Sequence, residues 1–492
     1  MSQPEIIISS RGGRKLLYNG YVYYRRDSKK DKIYWYCVKT DECKATAITL
    51  NTGNNVEIVK EGSHGHAPNQ EQVEAEKVIS NLKRIATDHP ESTPAQILRT
   101  ELPSVSSGVL SQLPDRENLK KRIRRQRRQD FPPDPKSIAD LRDIPEQFRK
   151  TKVGDTFIIY DSLDDEDETE IRVIIFGTRR NLEILARSTA WFLDGTFKTS
   201  PNIFLQIFVV MGLIRKSSPG KDDVEIAVPL VYSLLPSKYQ VSYETVVGEV
   251  KNACQRYEID IIPPLRVLMD FEVAVKNALL AVFTNWIVQY CFFHLGQSFY
   301  RRIQSEGLQE QYNNPNDRSL KEYAHMILSL AFVPTADVEQ AFEKIFDDIP
   351  EELVPIARYF EENYIVGRRA RGRRRAVPPR YPASLWNTYE ATLRDQHRTN
   401  NISEGWHNKF QLMVGKNHHS LYYLLKEFLK EQADTETILR QLDLGQAVKA
   451  APKKKWMQSK TRMRNIVSQY EDYKEKDEIL QYLRLLGHNI SL

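Results

Sequence analysis

The stretch that most constrains this chain lies between residues 11 and 68, where aromatic and polar residues alternate in three short runs, LLYNGYVYYRRD, KIYWYCVKT and KATAITL. A period of two, rich in Tyr, Trp and Thr and broken at Asn19-Gly20 and around Asn51 to Asn55, predicts a small antiparallel sheet. About 60 residues bury too little apolar surface to be stable alone, and such segments are commonly stapled by a metal or by disulfides. Candidate ligands are present as Cys37, Cys43, His64 and His66, spaced C-x5-C-x20-H-x-H. Only four cysteines occur in 492 residues, which excludes a disulfide scaffold and leaves metal ligation or plain packing. Two thiols and two imidazoles around one small sheet predict a structural zinc site with no open coordination position. Trp35 reads as core of that sheet, and Cys254, inside a helical pattern, as a packed small hydrophobe.

Charge divides unevenly along the chain. Residues 1–150 hold 27 Lys and Arg against 20 Asp and Glu, a surplus of +7, whereas residues 151–492 hold 44 against 45. A polyanionic partner is therefore expected at the N-terminal third. Arg14, Lys15, Arg25, Arg26, Lys29 and Lys30 are placed to meet phosphate. Residues 70–150 read as short helices punctuated by Pro90, Pro94 and Pro103, a linker or DNA-contacting module that allows a helix-turn-helix. Its segment 116-RENLKKRIRRQRRQD-130 adds Lys121, Arg122, Arg124, Arg125, Arg127 and Arg128. Two further basic clusters, 368-RRARGRRR-375 and 453-KKKWMQSKTRMR-464, read equally well as solvated faces. No run of about 18 apolar residues and no signal-like N-terminus occurs, so an intracellular chain without a membrane partner is expected.

From residue 151 the pattern becomes α/β. Strands are expected at 156–161, 171–177, 189–197, 203–213, 224–235, 265–270 and 287–294, with helices at 241–256 and 272–284. From 296 to 395 strand signals vanish and helical segments take over, resuming from 401. The acidic run 161-DSLDDEDETE-170 is expected to be a hairpin loop. Position singles out three carboxylates: Asp194 within one apolar strand, Asp270 at the end of another, and Glu404 at the start of a helix with Asn400 or Asn401 as its N-cap. A charge carried by a buried strand costs several kcal/mol unless a cation meets it.

Strand, strand, strand, helix, strand, helix, strand is the order of the ribonuclease-H-like fold. The strings DGTFK at 194–198, MDFEVAVKNAL at 269–279, CFFH at 291–294 and RTNNISEGWH at 398–407 resemble those of Mutator-like element (MULE) transposases. The aromatic strands with Cys37, Cys43, His64 and His66 are similar to FLYWCH-type zinc fingers, relatives of the WRKY-type fold. The resemblance implies a multidomain chain: a FLYWCH-type finger at 11–68, a basic helical linker at 70–150 and a ribonuclease-H-like core at 151–295. A helical insertion at 296–395, core-completing helices at 396–440 and a basic helical C-terminal tail at 441–492 would follow. It implies a DDE triad of Asp194, Asp270 and Glu404 holding magnesium or manganese ions that clamp the entering and leaving oxygens of a phosphoryl transfer. It places Cys291 and His294 near that site in a structural or supporting role. It also implies double-stranded DNA, transposon ends included, as partner, nuclear localisation, and room for a homo-oligomer. The alternative reading is a domesticated FLYWCH DNA-binding or transcription-regulatory protein without transposition activity.

Overall fold

A computed structural model describes residues 3–8, 13–29, 31–52, 55–89, 92–128, 132–164, 171–218, 221–264, 266–370, 375–415, 419–446, 448 and 454–490. The chain divides into two units, residues 1–134 and 135–492.

The first unit is built on a six-stranded antiparallel sheet whose order follows the sequence: β1 (Glu5–Ile8), β2 (Arg14–Tyr18), β3 (Tyr21–Lys29), β4 (Lys32–Cys37), β5 (Thr46–Thr52) and β6 (Asn55–Glu61). Asn19 and Gly20 join β2 to β3 with φ of 50° and 79°, the positive pair that a two-residue hairpin turn of this hand requires. The alternation read from the sequence becomes a two-sided sheet. Leu16, Tyr23, Ile33, Trp35 and Ala47 pack together on one side, and the Trp35 indole N–H donates to Thr49 Oγ1 at 2.9 Å. Ile7, Leu17 and Val22 pack with Val73 of the helix Gln70–Asp88. The helices Pro94–Glu101, Ser107–Gln112 and Arg116–Arg128 follow. Their core, formed with Gln70–Asp88, includes Ile79, Leu82, Leu98, Leu119 and Ile123. Pro94 opens its helix behind a capping box formed by Thr93 and Gln96.

The second unit is organised by a seven-stranded sheet of β7 (Ile158–Asp161), β8 (Ile174–Phe176), β9 (Ala190–Thr196), β10 (Gln206–Ser218), β11 (Lys221–Leu235), β12 (Arg266–Met269) and β13 (Val288–Tyr290), in the order β13-β12-β9-β10-β11-β8-β7. β9, β10 and β11 form an antiparallel meander. The helix Gln240–Arg256 then carries the chain back to β12, parallel beside β9, and Val273–Val282 carries it to β13, parallel beside β12. Both faces of the central strands are buried, as the apolar runs AWFL and RVLM demand. Cys254 is packed within this core.

The fold departs from the sequence reading in several places. A helix at Arg179–Leu185, capped by Thr178, stands between β8 and β9 where the sequence reading places none. The strand expected to run to 294 stops at Tyr290; Cys291 is an N-cap and His294 lies in the first turn of the helix Phe292–Ser305. Asn400 holds the N-cap position of Asn401–Val414 without capping it by its side chain. That side chain donates instead to Leu193 O at 3.2 Å. β7 and β8 flank the acidic run and pair antiparallel, while its residues 165–170 lie outside the described residues, as do 371–374 of the first basic cluster. The C-terminal segment is helical and packs into the core of the second unit. Its helices Lys454–Val467, Tyr470–Glu475 and Ile479–Gly487 bury Met463, Val467, Tyr470, Tyr482 and Leu486 in the same core as Leu328 and Phe342 of the helical block.

The edge of this sheet is locked by Asp161, whose Oδ2 accepts from Arg172 at 2.8 Å with both side chains at most 5% exposed. Removing one partner strands a buried charge, so Arg172→Met is expected to lower the unfolding free energy by about 3–5 kcal/mol. Denaturant melts of the full chain check this; a loss under about 1 kcal/mol contradicts it.

Candidate functional site

Two sites stand out, one in each unit. In the first, Cys37 ends β4, Cys43 lies in the connection to β5, and His64 and His66 come just after β6, so the β4–β5 connection and the chain leaving β6 bring both halves of the motif to one end of the sheet. One ligand atom from each of the four lies within 4.8 Å of all the others. Cys43 Sγ faces His64 Nδ1 at 3.4 Å, and Cys37 Sγ faces His66 Nε2 at 3.2 Å. The outer nitrogens are also spoken for. Tyr23 donates its hydroxyl to Glu61 Oε1 at 3.1 Å and lies 2.8 Å from His64 Nε2, while His66 Nδ1 lies 2.9 Å from Ala67 O. These contacts place the ring protons on the outer nitrogens and leave the inner ones bare to bind metal. Tyr21 stacks flat on His64, with centroids 3.5 Å apart.

Burial pushes the Cys37 thiol up, and burial together with His66 holds His64 below its usual value. Burial works against the Cys43 thiolate too, but the N–H groups of Gly65 and Ala45 outweigh it and bring its pKa down. Two soft sulfurs and two imidazoles so gathered fit structural zinc.

The basic residues of this unit do not act as one group. Arg14, Arg25, Arg26 and Lys29 are exposed. Arg26 is the extra residue at a bulge between Arg25 and Asp27, and its guanidinium sits 4.6 Å above the Tyr36 ring. Lys15, by contrast, is paired with Glu76 at 2.6 Å. Lys121, Arg124 and Arg125 are exposed on their helix and Arg122 is half-buried. Arg127 is taken by the carbonyls of Ala86, His89 and Ser92, which it caps at the end of Gln70–Asp88. Lys30 and the Arg128 side chain lie outside the described residues.

In the second unit the parallel register pairs Leu193 with Met269. The residues that follow, Asp194 and Asp270, therefore leave neighbouring strands side by side. A Cβ at Gly195 would stand 2.6 Å from Gln206 Oε1, so a larger residue there would have to displace the buried Gln206 side chain. Glu272 accepts from Tyr243, which in turn accepts from Gln206 Nε2, both at 2.7 Å, so the start of β10 is tied through the helix Gln240–Arg256 to MDFE.

His294 bridges two acids: Nδ1 lies 2.8 Å from Asp270 Oδ1 and Nε2 lies 3.1 Å from Glu404 Oε1. Burial opposes charge on this imidazole, but its contacts with Asp270 and Cys291 prevail and push its pKa up to about 10. Burial, followed by repulsion from Asp270 and Asp194 working against the pull of His294 and His407, raises the Glu404 carboxyl above its ordinary value. Cys291 accepts from the Asn400 N–H at 3.1 Å, and the Phe292 N–H donates to Arg398 O at 3.0 Å. The segment 398–400 is thus strapped across the ends of the parallel strands before it enters the Glu404 helix.

Sequence reasoning alone misses His407. Its Nε2 lies 3.2 Å from Asp194 Oδ2, with both side chains nearly buried. The available signal is Glu404-x-x-His407 on a helix, a spacing that puts both side chains on one face. Trp406 points the other way and donates to the buried Glu431 at 2.6 Å, which fixes the rotation of the helix. Asp270 Oδ1, Glu404 Oε1 and both His407 nitrogens are buried without a well-directed hydrogen bond. Asp270 and Glu404 thus each keep a buried oxygen without a directed partner, whereas Asp194 Oδ1 accepts from the Gly195 N–H at 2.8 Å; carboxylate oxygens are the donors that hard divalent cations take.

Comparison with known proteins agrees with both halves. Residues 6–66 match the FLYWCH zinc finger domain. Residues 190–298 match the MULE transposase domain, a span that includes Asp194, Asp270, Cys291 and His294 and stops short of Glu404. The chain therefore combines a FLYWCH zinc finger with a MULE transposase domain, which supports a transposase-related DNA-binding protein. It is 29% identical over 128 residues to FLYWCH-type zinc finger-containing protein peb-1 of Caenorhabditis elegans, covering 24% of this chain and 28% of that protein. It is 29% identical over 129 residues to the protein of the same name in Caenorhabditis briggsae, covering 24% and 29%. The chain thus matches less than a third of the length of either relative. No described helix is long and apolar enough to cross a membrane.

A His64 pKa held below its ordinary value of about 6.5 means that the unfolded sheet takes up a proton that the folded one refuses. Stability then falls as pH drops through about 6.5 and below. Acid titration of the zinc-loaded chain is expected to release zinc and near-ultraviolet ellipticity together over that range, and Cys43→Ser to abolish stoichiometric zinc. Zinc retained down to pH 4, or a metal-free sheet with full ellipticity, would contradict the assignment.

Proposed function

We propose that this chain is a DDE-type transposase, or a nuclease derived from one, that cuts and joins double-stranded DNA with two divalent metal ions. The observation that carries the reading is the convergence at one sheet end of Asp194, Asp270 and, through His294, Glu404. The strand order and directions of β9 to β13 support a ribonuclease-H-like core over 151–295, completed by 396–440, with 296–395 as a helical insertion. Magnesium or manganese would be held by Asp194, Asp270 and Glu404. When bound, the ions polarise the phosphodiester and activate the attacking oxygen.

What the chain's own residues contribute follows from their contacts. Cys291 fixes the strap that delivers Glu404. His294, held protonated by its contacts with Asp270 and Cys291, offsets the charge of Asp270 and Glu404 while the acids stand alone, which lowers the repulsion among the carboxylates before the cations arrive; His407 faces Asp194 Oδ2. The Gln206–Tyr243–Glu272 hydrogen bonds tie the start of β10 to the MDFE segment that carries Asp270.

The FLYWCH finger, with Arg14, Arg25, Arg26 and Lys29 exposed, would bind duplex DNA, and Lys121, Arg122, Arg124 and Arg125 would extend that contact. Transposon ends are the substrate of this reading, the nucleus is its compartment, and a homo-oligomer would bring two ends together. The resemblance of part of the chain to proteins named for their finger favours a second reading, a DNA-binding regulator without strand transfer.

Nicking of supercoiled plasmid separates the two. Wild-type chain with Mg²⁺ or Mn²⁺ is expected to nick. Asp194→Asn should reduce the rate by about 100-fold or more, the order of effect seen when one electrostatic element of a transition state is lost, while DNA binding in the absence of divalent ions stays unchanged. Metal-independent nicking, or equal rates in wild type and variant, refutes the enzyme reading in favour of the regulator.

A further inference from the structure

The helix Lys454–Val467, KKWMQSKTRMRNIV, carries five Lys and Arg residues and no Asp or Glu. Its second half is firmly seated. Met463 and Val467 are buried in the core with Ile466 packed against it, and Lys460 pairs with Asp395 Oδ2 at 2.9 Å. Asp395 lies three residues ahead of the strap 398–400 that Cys291 fixes and that leads into the Glu404 helix. The cationic helix is therefore anchored just ahead of the segment that delivers the third acid.

Its first half is not covered. Trp456, Lys460, Met463 and Val467 recur at helical spacing along one face, and the last three are packed or paired, yet Trp456 is 71% exposed and Met457 beside it 49%. Lys454, Lys455 and Arg464 make no ion pair among the described residues, and Arg462 reaches only the Asn489 side-chain oxygen at 3.4 Å. A merely solvated face usually mixes both signs of charge and does not display an indole. Cations without acids around an uncovered indole and thioether complement a nucleic acid: phosphates take the ammonium and guanidinium groups, and a base or sugar surface takes the ring.

We propose that Lys454–Val467 is a second DNA-contacting element, which grips the backbone beside the Asp194, Asp270 and Glu404 cluster through Lys454, Lys455, Arg462 and Arg464 and packs Trp456 on the DNA surface. The proposal rests on the DNA reading above and assigns the contact to the transposase unit rather than to the finger alone.

Binding of the full zinc-loaded chain to a blunt duplex, measured across a salt series, tests it. Replacing Lys454, Lys455 and Arg462 by Gln is expected to reduce the slope of log affinity against log salt by about two to three, at roughly 0.9 for each phosphate no longer neutralised. Trp456→Ala should weaken binding about tenfold with little change in slope, and Trp456→Phe should restore most of it. Arg25→Gln with Arg26→Gln serves as the finger comparison. An unchanged slope in the Gln variant while the finger variant's slope falls overturns the proposal. So does a Trp456→Ala chain that binds DNA normally, and a change in its sedimentation would then assign the face to a second copy of the chain. Plasmid nicking by the same variants keeps the two readings apart. A reduced slope in the Gln variant together with a wild-type chain that does not nick sustains this contact and refutes the enzyme, whereas a wild-type chain that nicks with an unchanged slope in the Gln variant does the reverse.

Discussion

Carboxylates carried side by side on adjacent parallel strands repel one another, and the second unit is arranged to hold two of them there. Leu193 and Met269 are paired in the ladder, so the positions of Asp194 and Asp270 follow from backbone hydrogen bonding and not from side-chain choice. The surroundings then supply what the pair lacks. An imidazole faces each acid, Glu404 arrives on a strap pinned by Cys291, and β9 and β12 beneath are buried. Folding energy from a large apolar core thereby sustains a cluster that is unfavourable by itself, an arrangement common at sites built to receive cations.

The finger meets a similar difficulty with fewer resources. Its sheet has a small core around Trp35, and its Cys and His side chains come together only at one end. There the outer contacts, Tyr23 to His64 and Ala67 to His66, orient both rings before metal is added. The same Tyr23 belongs to the buried core and to the hydrogen-bond chain behind the ligand. Packing and ligation in this unit are therefore coupled through one side chain.

Much of this is legible in the sequence, for identifiable reasons. Period-two alternation marks strands wherever one face is wet and the other dry, as in KIYWYC, and continuous apolar runs mark β9 to β12. Cys37, Cys43, His64 and His66 are legible because few other uses exist for them. What escapes is tertiary. The seven-residue helix Arg179–Leu185 is too short for a periodic signal. CFFH reads as a strand because its aromatic residues are apolar on every side, yet the chain turns into a helix at Cys291. Asn400 has the chemistry of a cap and is diverted to Leu193 by the strap. Lys15 and Arg127 count as free cations until Glu76 and three helix-end carbonyls claim them. His407 is hidden because its partner lies 213 positions away in the sequence.

The central claim is that Asp194, Asp270 and Glu404 form one divalent-cation site. Its most direct test is Mn²⁺ binding followed by electron paramagnetic resonance on the full chain with zinc already in the finger, with and without duplex DNA. The account predicts saturable Mn²⁺ binding that Asp194→Asn abolishes, that Asp270→Asn and Glu404→Gln each weaken, and that Cys37→Ser leaves in place. Mn²⁺ that fails to saturate a site under either condition, or binding indifferent to all three acids, would contradict it.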